Sequence, residues 1–227
     1  MNVGFVLQAR SDSKRLPNKA FLPLGDSSLI EKCFRILIDS AVELGMPILA
    51  TTDRGIDNDL AELAQSYGLY VYRGPLENVL ERFYKVSQIF ELQIISRLTG
   101  DNPFIPPTLQ RNLILDPDLK YNYPIILSTR CTGMPKGLDF EAFNATALKL
   151  AHSFANSDYD LEHVTPLMYR ESLFRKKIKK IEFSNCKFEN YSIDTHSDYE
   201  ACRDNISEYE VAFIKSSDWE GEWKYQS

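Results

Sequence analysis

Arg10, Lys14, Arg15 and Lys19 fall within ten positions of one another in the stretch QARSDSKRLPNK, residues 8–19, with Ser11, Asp12 and Ser13 between them. Four cations against one carboxylate give residues 10–19 a local charge of +3, in a chain whose formal net charge is −6. A guanidinium presents a planar fork to phosphate oxygens and an ammonium acts as a point charge, so this turn has the chemistry of an anion site, and of a triphosphate site in particular. A solvated basic loop is the other reading of the same residues. The spacing G-x-x-x-x-G-K-[ST] is absent, so a phosphate loop here is not of the Walker kind.

Three further stretches carry candidate chemistry. In TGDNPFI (99–105), Gly100 permits close backbone approach and Asp101 offers the carboxylate oxygen that a hard cation prefers; an Asx-turn or a helix cap would use the same residues. In SIDTHSDYE, Asp194 ends a predicted strand and Asp198 falls in the first turn of a helix, where a lone Asp commonly caps. Asp101 and Asp194, brought together beside the basic turn, would make a Mg2+ site, because Mg2+ takes one or two carboxylates together with substrate phosphates. In GMPKGLDFEAF (133–143), Lys136, Asp139 and Glu141 either contact a polyhydroxyl acceptor or line an edge hairpin. His163 stands next to a helix start, where a histidine is more often a structural hydrogen bonder than a ligand.

The elements that must position these residues alternate. Asn2–Leu7 is a short apolar run suited to a buried first strand. Ser28 and Glu31 have capping-box spacing ahead of a helical apolar pattern running to Gly45. Residues 47–53, 69–73 and 93–99 read as strands, with helices over 58–67 (capped by Asp57), over 76–91 and from about Pro107. This order predicts an α/β domain with a mixed, mostly parallel sheet and helices on both faces. Beyond residue 130 the spacing predicts a strand within 133–143, helices over 144–155 and 160–172, a strand over 175–183, and a strand over 191–195 followed by a helix capped at Ser197. We expect one domain over 1–215, with a less regular insertion over about 130–175, and a tail over 216–227 anchored by Trp219 and Trp223.

Bulk properties narrow the function. The chain has 227 residues, 26 Lys and Arg against 32 Asp and Glu, and 44% hydrophobic residues, which suits a folded domain with a real core. An acidic balance argues against general binding to duplex nucleic acid, which needs a broad basic face. Cys33, Cys131, Cys186 and Cys202 form no C-x-x-C pair or Cys/His cluster, so neither zinc nor a redox pair is expected. No run of eighteen apolar residues and no basic leader is present, and a cytoplasmic protein is expected.

The stretches QARSDSKRLPNKAFLPL, ATTD, YRGPLENVLERFY, RLTGDNPFI, GLDFEAF, EHVTP and IDTHSDYE, in that order, resemble the cytidylyltransferases of the spore-coat polysaccharide biosynthesis type, relatives of the CMP-Kdo and CMP-acylneuraminate synthetases. The resemblance covers nearly the whole chain. It implies a single glycosyltransferase-A-like Rossmann domain with an inserted β/α dimerisation segment, working as a homodimer. It implies an enzyme that uses CTP and Mg2+ to transfer CMP to a sugar-acid or related acceptor hydroxyl, with release of pyrophosphate. A nucleotidyltransferase using another nucleoside triphosphate, or a non-catalytic nucleotide-binding subunit, is the alternative. By the same resemblance Arg10, Ser13, Arg15 and Lys19 meet the phosphates, Leu7 and Ala9 lie where backbone groups meet the base, and Gly100 lies in the nucleotide site. Asp101 and Asp194 hold the metal, Arg73 and Arg82 lie near nucleotide or sugar, and Asp139, Glu141 and His163 face the acceptor. Many relatives carry Gly or Ala where this chain has Asp12, a carboxylate that must turn away from phosphates to be tolerated.

Overall fold

The structure, a computed structural model, describes residues 1–129, 135–180, 187–209 and 224–226. Its main sheet has the order β10-β9-β7-β8-β6-β1-β4-β5. The strands are β1 (Val3–Gln8), β4 (Met46–Thr52), β5 (Tyr70–Gly74), β6 (Ile94–Thr99), β7 (Ile125–Ser128), β8 (Glu141–Asn144), β9 (Arg175–Lys180) and β10 (Lys224–Gln226). A two-stranded ribbon of β2 (Pro23–Leu24) and β3 (Ser27–Ser28) stands apart. Strands β5, β4, β1 and β6 are mutually parallel, β8 runs antiparallel to both β6 and β7, and β9 is parallel to β7. Among the described residues, the expected insertion thus contributes β8, placed between β6 and β7.

Alternation along β1 builds the two halves of the core. Phe5 and Leu7 pack on one side with Leu29, Phe34 and Leu37 of α1 (Leu29–Ala41), Leu60 of α2 (Asn58–Ser66) and Leu113 of α4 (Pro107–Ile114). Val6 packs on the other with Phe83 of α3 (Val79–Ile89), Leu148 of α5 (Ala145–Phe154) and Met168 of α7 (Pro166–Arg170). A strand paired on both edges and covered on both faces has no place for polar residues, which is why VGFVL reads as a continuous apolar run. Each such side chain contributes about 1.5–3 kcal/mol on burial. Helix α1 begins at the predicted capping box: Ser28 Oγ accepts from the Glu31 N–H and the Glu31 carboxylate accepts from the Ser28 N–H.

Three expectations need correction. Residues 160–172 do not form one helix. Instead α6 (Asp158–His163) stops at Val164, whose φ of 70° is foreign to a helix, and α7 restarts at Pro166, a residue that fits the first turn but not an interior. Residues 191–195 join no strand ladder. Their apolar pattern reflects burial, but Tyr191 N–H donates to the Lys136 carbonyl and Ile193 N–H to the Asp101 carbonyl, so the segment is laced to loops. The final helix, α8 (His196–Asp204), is capped by Thr195 with Asp198, two residues before the predicted Ser197. Strand β7 had no counterpart in the sequence reading. Residues 130–134, 181–186, 210–223 and 227, and with them Cys131, Cys186 and both Trp anchors, lie outside the described residues.

The β5-β4-β1-β6 order sets the position of the site. The chain builds outward from β1 to β4 and β5, then crosses back to add β6 on the other side of β1. Loops leaving the carboxyl ends of β1 and β6 diverge there and open a crevice, the usual ligand position of a doubly wound sheet.

Candidate active site

A cleft of about 690 Å3 occupies this crevice, and all four cations of the opening turn, Arg10, Lys14, Arg15 and Lys19, line it. Asp101 at the end of β6 and Asp194 before α8 lie on the same walls, with Ala9, Ser13, Arg82 and Gly100. The two acidic loops are stitched directly, since Ile193 N–H donates to the Asp101 carbonyl at 2.9 Å. Two glycines permit the close packing. A Cβ on Gly100 would stand 2.9 Å from the Ala9 Cβ, and one on Gly137, at φ 87°, would stand 2.4 Å from the Ser192 backbone nitrogen.

Charges inside the cleft are paired unevenly. Asp194 Oδ1 receives Arg15 at 3.1 Å and Lys19 at 3.6 Å, while its Oδ2 receives Lys136 at 3.0 Å. Burial disfavours ionisation of Asp194, but the Lys136 hydrogen bond and the charges of Lys19 and Arg15 outweigh it and hold its pKa below the ordinary carboxylate value. Asp101 differs: its Oδ1 is buried and makes no hydrogen bond. Arg82 differs in the same way, with 3% exposure and with Nε and Nη1 both buried and unpartnered. Burial, with Arg10 nearby, draws the Arg82 pKa down to about 10. A buried guanidinium without partners is unfavourable unless an anion completes it.

Asp12 is engaged elsewhere. Its carboxylate takes both ends of the Arg54 guanidinium at 2.7 and 2.6 Å, and those hydrogen bonds hold its pKa below the usual range. Asp57, expected as a helix cap, makes no capping bond either. Fully buried, it accepts from Ser11 N–H at 2.6 Å and from the Thr52 hydroxyl, tying the cationic turn to the end of β4. Asp57→Ala would leave Ser11 N–H and the Thr52 hydroxyl without their buried acceptor. We expect it to lower unfolding free energy by about 2–3 kcal/mol, measured by urea denaturation.

A second cavity of about 720 Å3 adjoins the cleft, and Arg97, Thr99 and His163 line both. Asp139 and Glu141 line this second cavity, together with Tyr159, Thr165 and Tyr169. His163 leaves α6 directly before Val164, and Thr165 N–H donates to the His163 carbonyl at 2.8 Å. That bond around a residue at φ 70° and ψ −53° is a γ-turn of the rare positive-φ kind, which turns the chain between two cavity-lining residues.

Leu7 and Arg73 line neither cavity. The Leu7 side chain is fully buried in the core, which leaves its β1 backbone as the part that could meet a ligand. Arg73 spends its guanidinium on the backbone carbonyls of Thr52 and Arg54, at 3.0 and 2.7 Å, and so braces the loop after β4. Among the described residues no group of three or more His, Cys, Asp or Glu side chains stands ready as a protein-only metal centre.

Residues 5–222 match the family model for cytidylyltransferases. The chain belongs to the cytidylyltransferase family. The spore coat polysaccharide biosynthesis protein SpsF of Bacillus subtilis is 33% identical to it over 212 residues, covering 88% of this chain and 84% of SpsF. A solved cytidylyltransferase from Leptospira borgpetersenii superposes with a TM-score of 0.82 at 27% identity, covering 95% of this chain and 94% of that one. A CMP-Kdo synthetase solved in complex with CTP shares the fold, with a TM-score of 0.65 at 17% identity over 91% of this chain and 99% of that one. In this cytidylyltransferase family member, sequence reasoning passed over Arg97, Arg54 and the anchoring role of Asp57. A signal for Arg97 was present, since a charged residue inside the apolar strand IISRLT needs a partner or a ligand.

Proposed function

We propose that this chain transfers CMP from CTP to a hydroxyl of a sugar-acid or related acceptor and releases pyrophosphate, in the making of a surface-glycan precursor. The observation that carries this reading is the pair of adjoining cavities: one ringed by the cations of residues 10–19 with Arg82, Asp101 and Asp194, the other lined by hydroxyls and aromatic rings. The CTP bound by the CMP-Kdo synthetase of like fold supports placing CTP in the first. The homodimer and the cytoplasmic setting implied by the family resemblance belong to the same proposal.

In this scheme Arg10, Ser13, Arg15 and Lys19 hold the β- and γ-phosphates, Ala9 and Gly100 let backbone approach the nucleotide, and Arg82 gains the anionic partner it lacks. The acceptor enters the second cavity beside Asp139 and His163. Its hydroxyl oxygen bonds to the α-phosphorus, the bridging bond to the β-phosphate breaks in line, pyrophosphate leaves, and the hydroxyl proton is released. Orientation and charge neutralisation supply most of the acceleration in such a transfer. The unpartnered Asp101 Oδ1 and the carboxylate of Asp194 fit a Mg2+ ion, which when bound would neutralise charge gathering on the phosphate oxygens.

Incubation with Mg2+, a small-molecule cell extract and each nucleoside triphosphate in turn, read by mass spectrometry, tests the proposal. A CMP-linked product formed from CTP is expected. A nucleotide-linked product from UTP, GTP or ATP instead, or CTP binding with no product, overturns it.

A further inference from the structure

Arg97 sits at the middle of β6, directly opposite Glu141 of β8 in the antiparallel register. Its side chain shares a strand face with Thr99 two residues on, and among the described residues it is the one cation that lines both cavities. Two of its three nitrogens are fixed: Nε donates to Gln8 Oε1 at 3.0 Å and Nη1 to Glu141 Oε2 at 2.8 Å. Among the described residues Nη2 has no hydrogen-bond partner.

Glu141 in turn is filled from three directions. Besides Arg97 it accepts from the Thr165 hydroxyl at 3.1 Å and from the Tyr169 hydroxyl at 2.8 Å, and it is 6% exposed. A carboxylate so occupied has little capacity left for a substrate hydroxyl. Its geometry instead fixes the plane of the guanidinium, as a bidentate or forked arrangement does for arginine generally.

We propose that Arg97 is a catalytic residue, donating from Nη2 to the acceptor at the junction where its attacking oxygen meets the α-phosphate, and that Glu141 and Gln8 are its positioning residues. This assignment rests on the transfer reaction proposed above. It moves Glu141 from acceptor ligand to the support of one. A cation held rigidly at that junction faces the negative charge that grows on the phosphoryl oxygens as the acceptor attacks, where a preorganised donor is most effective.

Kinetics with the acceptor identified from the mass-spectrometric product, alongside calorimetry of CTP with Mg2+, test the assignment. Arg97→Gln is expected to lower kcat with that acceptor about 10²-fold, with CTP affinity changed by less than about threefold, because the triphosphate cations are untouched. Arg97→Lys, which keeps the charge but loses the fork, should rescue little of the rate. The double variant R97Q/E141Q removes both charges together, so it guards against unfolding from an orphaned Glu141, and it should show the same kcat loss. Glu141→Gln alone should lower kcat by about tenfold without weakening CTP binding. A wild-type chain that forms no CMP-linked product sinks the transfer reaction and Arg97's role together. A productive wild type whose folded R97Q and R97Q/E141Q variants keep more than a third of its rate, or lose CTP binding instead, overturns the role of Arg97 alone.

Discussion

Asp101→Asn is expected to depress turnover about 10³-fold, a barrier increase of about 4 kcal/mol, while leaving thermal stability equal to or above that of the parent. Asp101 Oδ1 is buried at the rim of the cleft with no donor to satisfy it, an arrangement that folding by itself does not favour. The carboxylate charge is useful there only if a cation is to be held, and an amide of the same shape removes that charge without disturbing packing. Loss of a metal's charge stabilisation in phosphoryl chemistry is worth several kcal/mol. Asp194, the second carboxylate of the proposed ion site, cannot hold the ion alone, because Arg15, Lys19 and Lys136 share its two oxygens. Steady-state pyrophosphate release and calorimetric titration of Mg2+ with CTP, alongside a melting curve, read the three quantities separately. Undiminished turnover in the folded variant would remove Asp101 from the reaction.

The second large effect is expected at Arg82, with opposite signs for stability and binding. Arg82→Met keeps the aliphatic stem that packs beneath Gly74 and removes a guanidinium whose Nε and Nη1 are buried without partners. The folded chain should gain roughly 1–3 kcal/mol, the desolvation term of one unsatisfied polar group. Binding should suffer. Two charge-assisted hydrogen bonds at about 1.5 kcal/mol each correspond to roughly a 10²-fold weaker Kd for CTP. Urea denaturation measures the gain and calorimetry the loss. A variant that is both less stable and equally able to bind CTP would show that Arg82 is a structural residue.

Much of the fold was legible because its determinants are local. The Ser28–Glu31 box starts α1 through bonds between residues three apart, and the apolar run VGFVL specifies a strand covered on both sides. The cationic turn and Asp101 were legible as candidates for the same kind of reason: a charge behind an apolar strand stands at the strand's end, where ligands gather in this class of sheet. Segments beyond residue 130 were less legible. The helix pattern over 160–172 is real in its spacing, yet Val164 and Pro166 break it, and the buried pattern of 191–195 arises from packing against loops.

Residue types and spacing by themselves determined the alternating α/β class, the cationic character of the opening turn and the presence of the two carboxylates proposed to serve a cation. Only the tertiary structure decided which charges are already satisfied. Asp12 is turned onto Arg54, Arg73 onto backbone carbonyls and Glu141 onto Arg97, while Arg82 and one oxygen of Asp101 are left bare inside the cleft. These pairings join residues as far apart as Arg15 and Asp194, 179 positions along the chain. An ion pair depends on separation in space and on the water excluded around it, and neither is set by position along the chain.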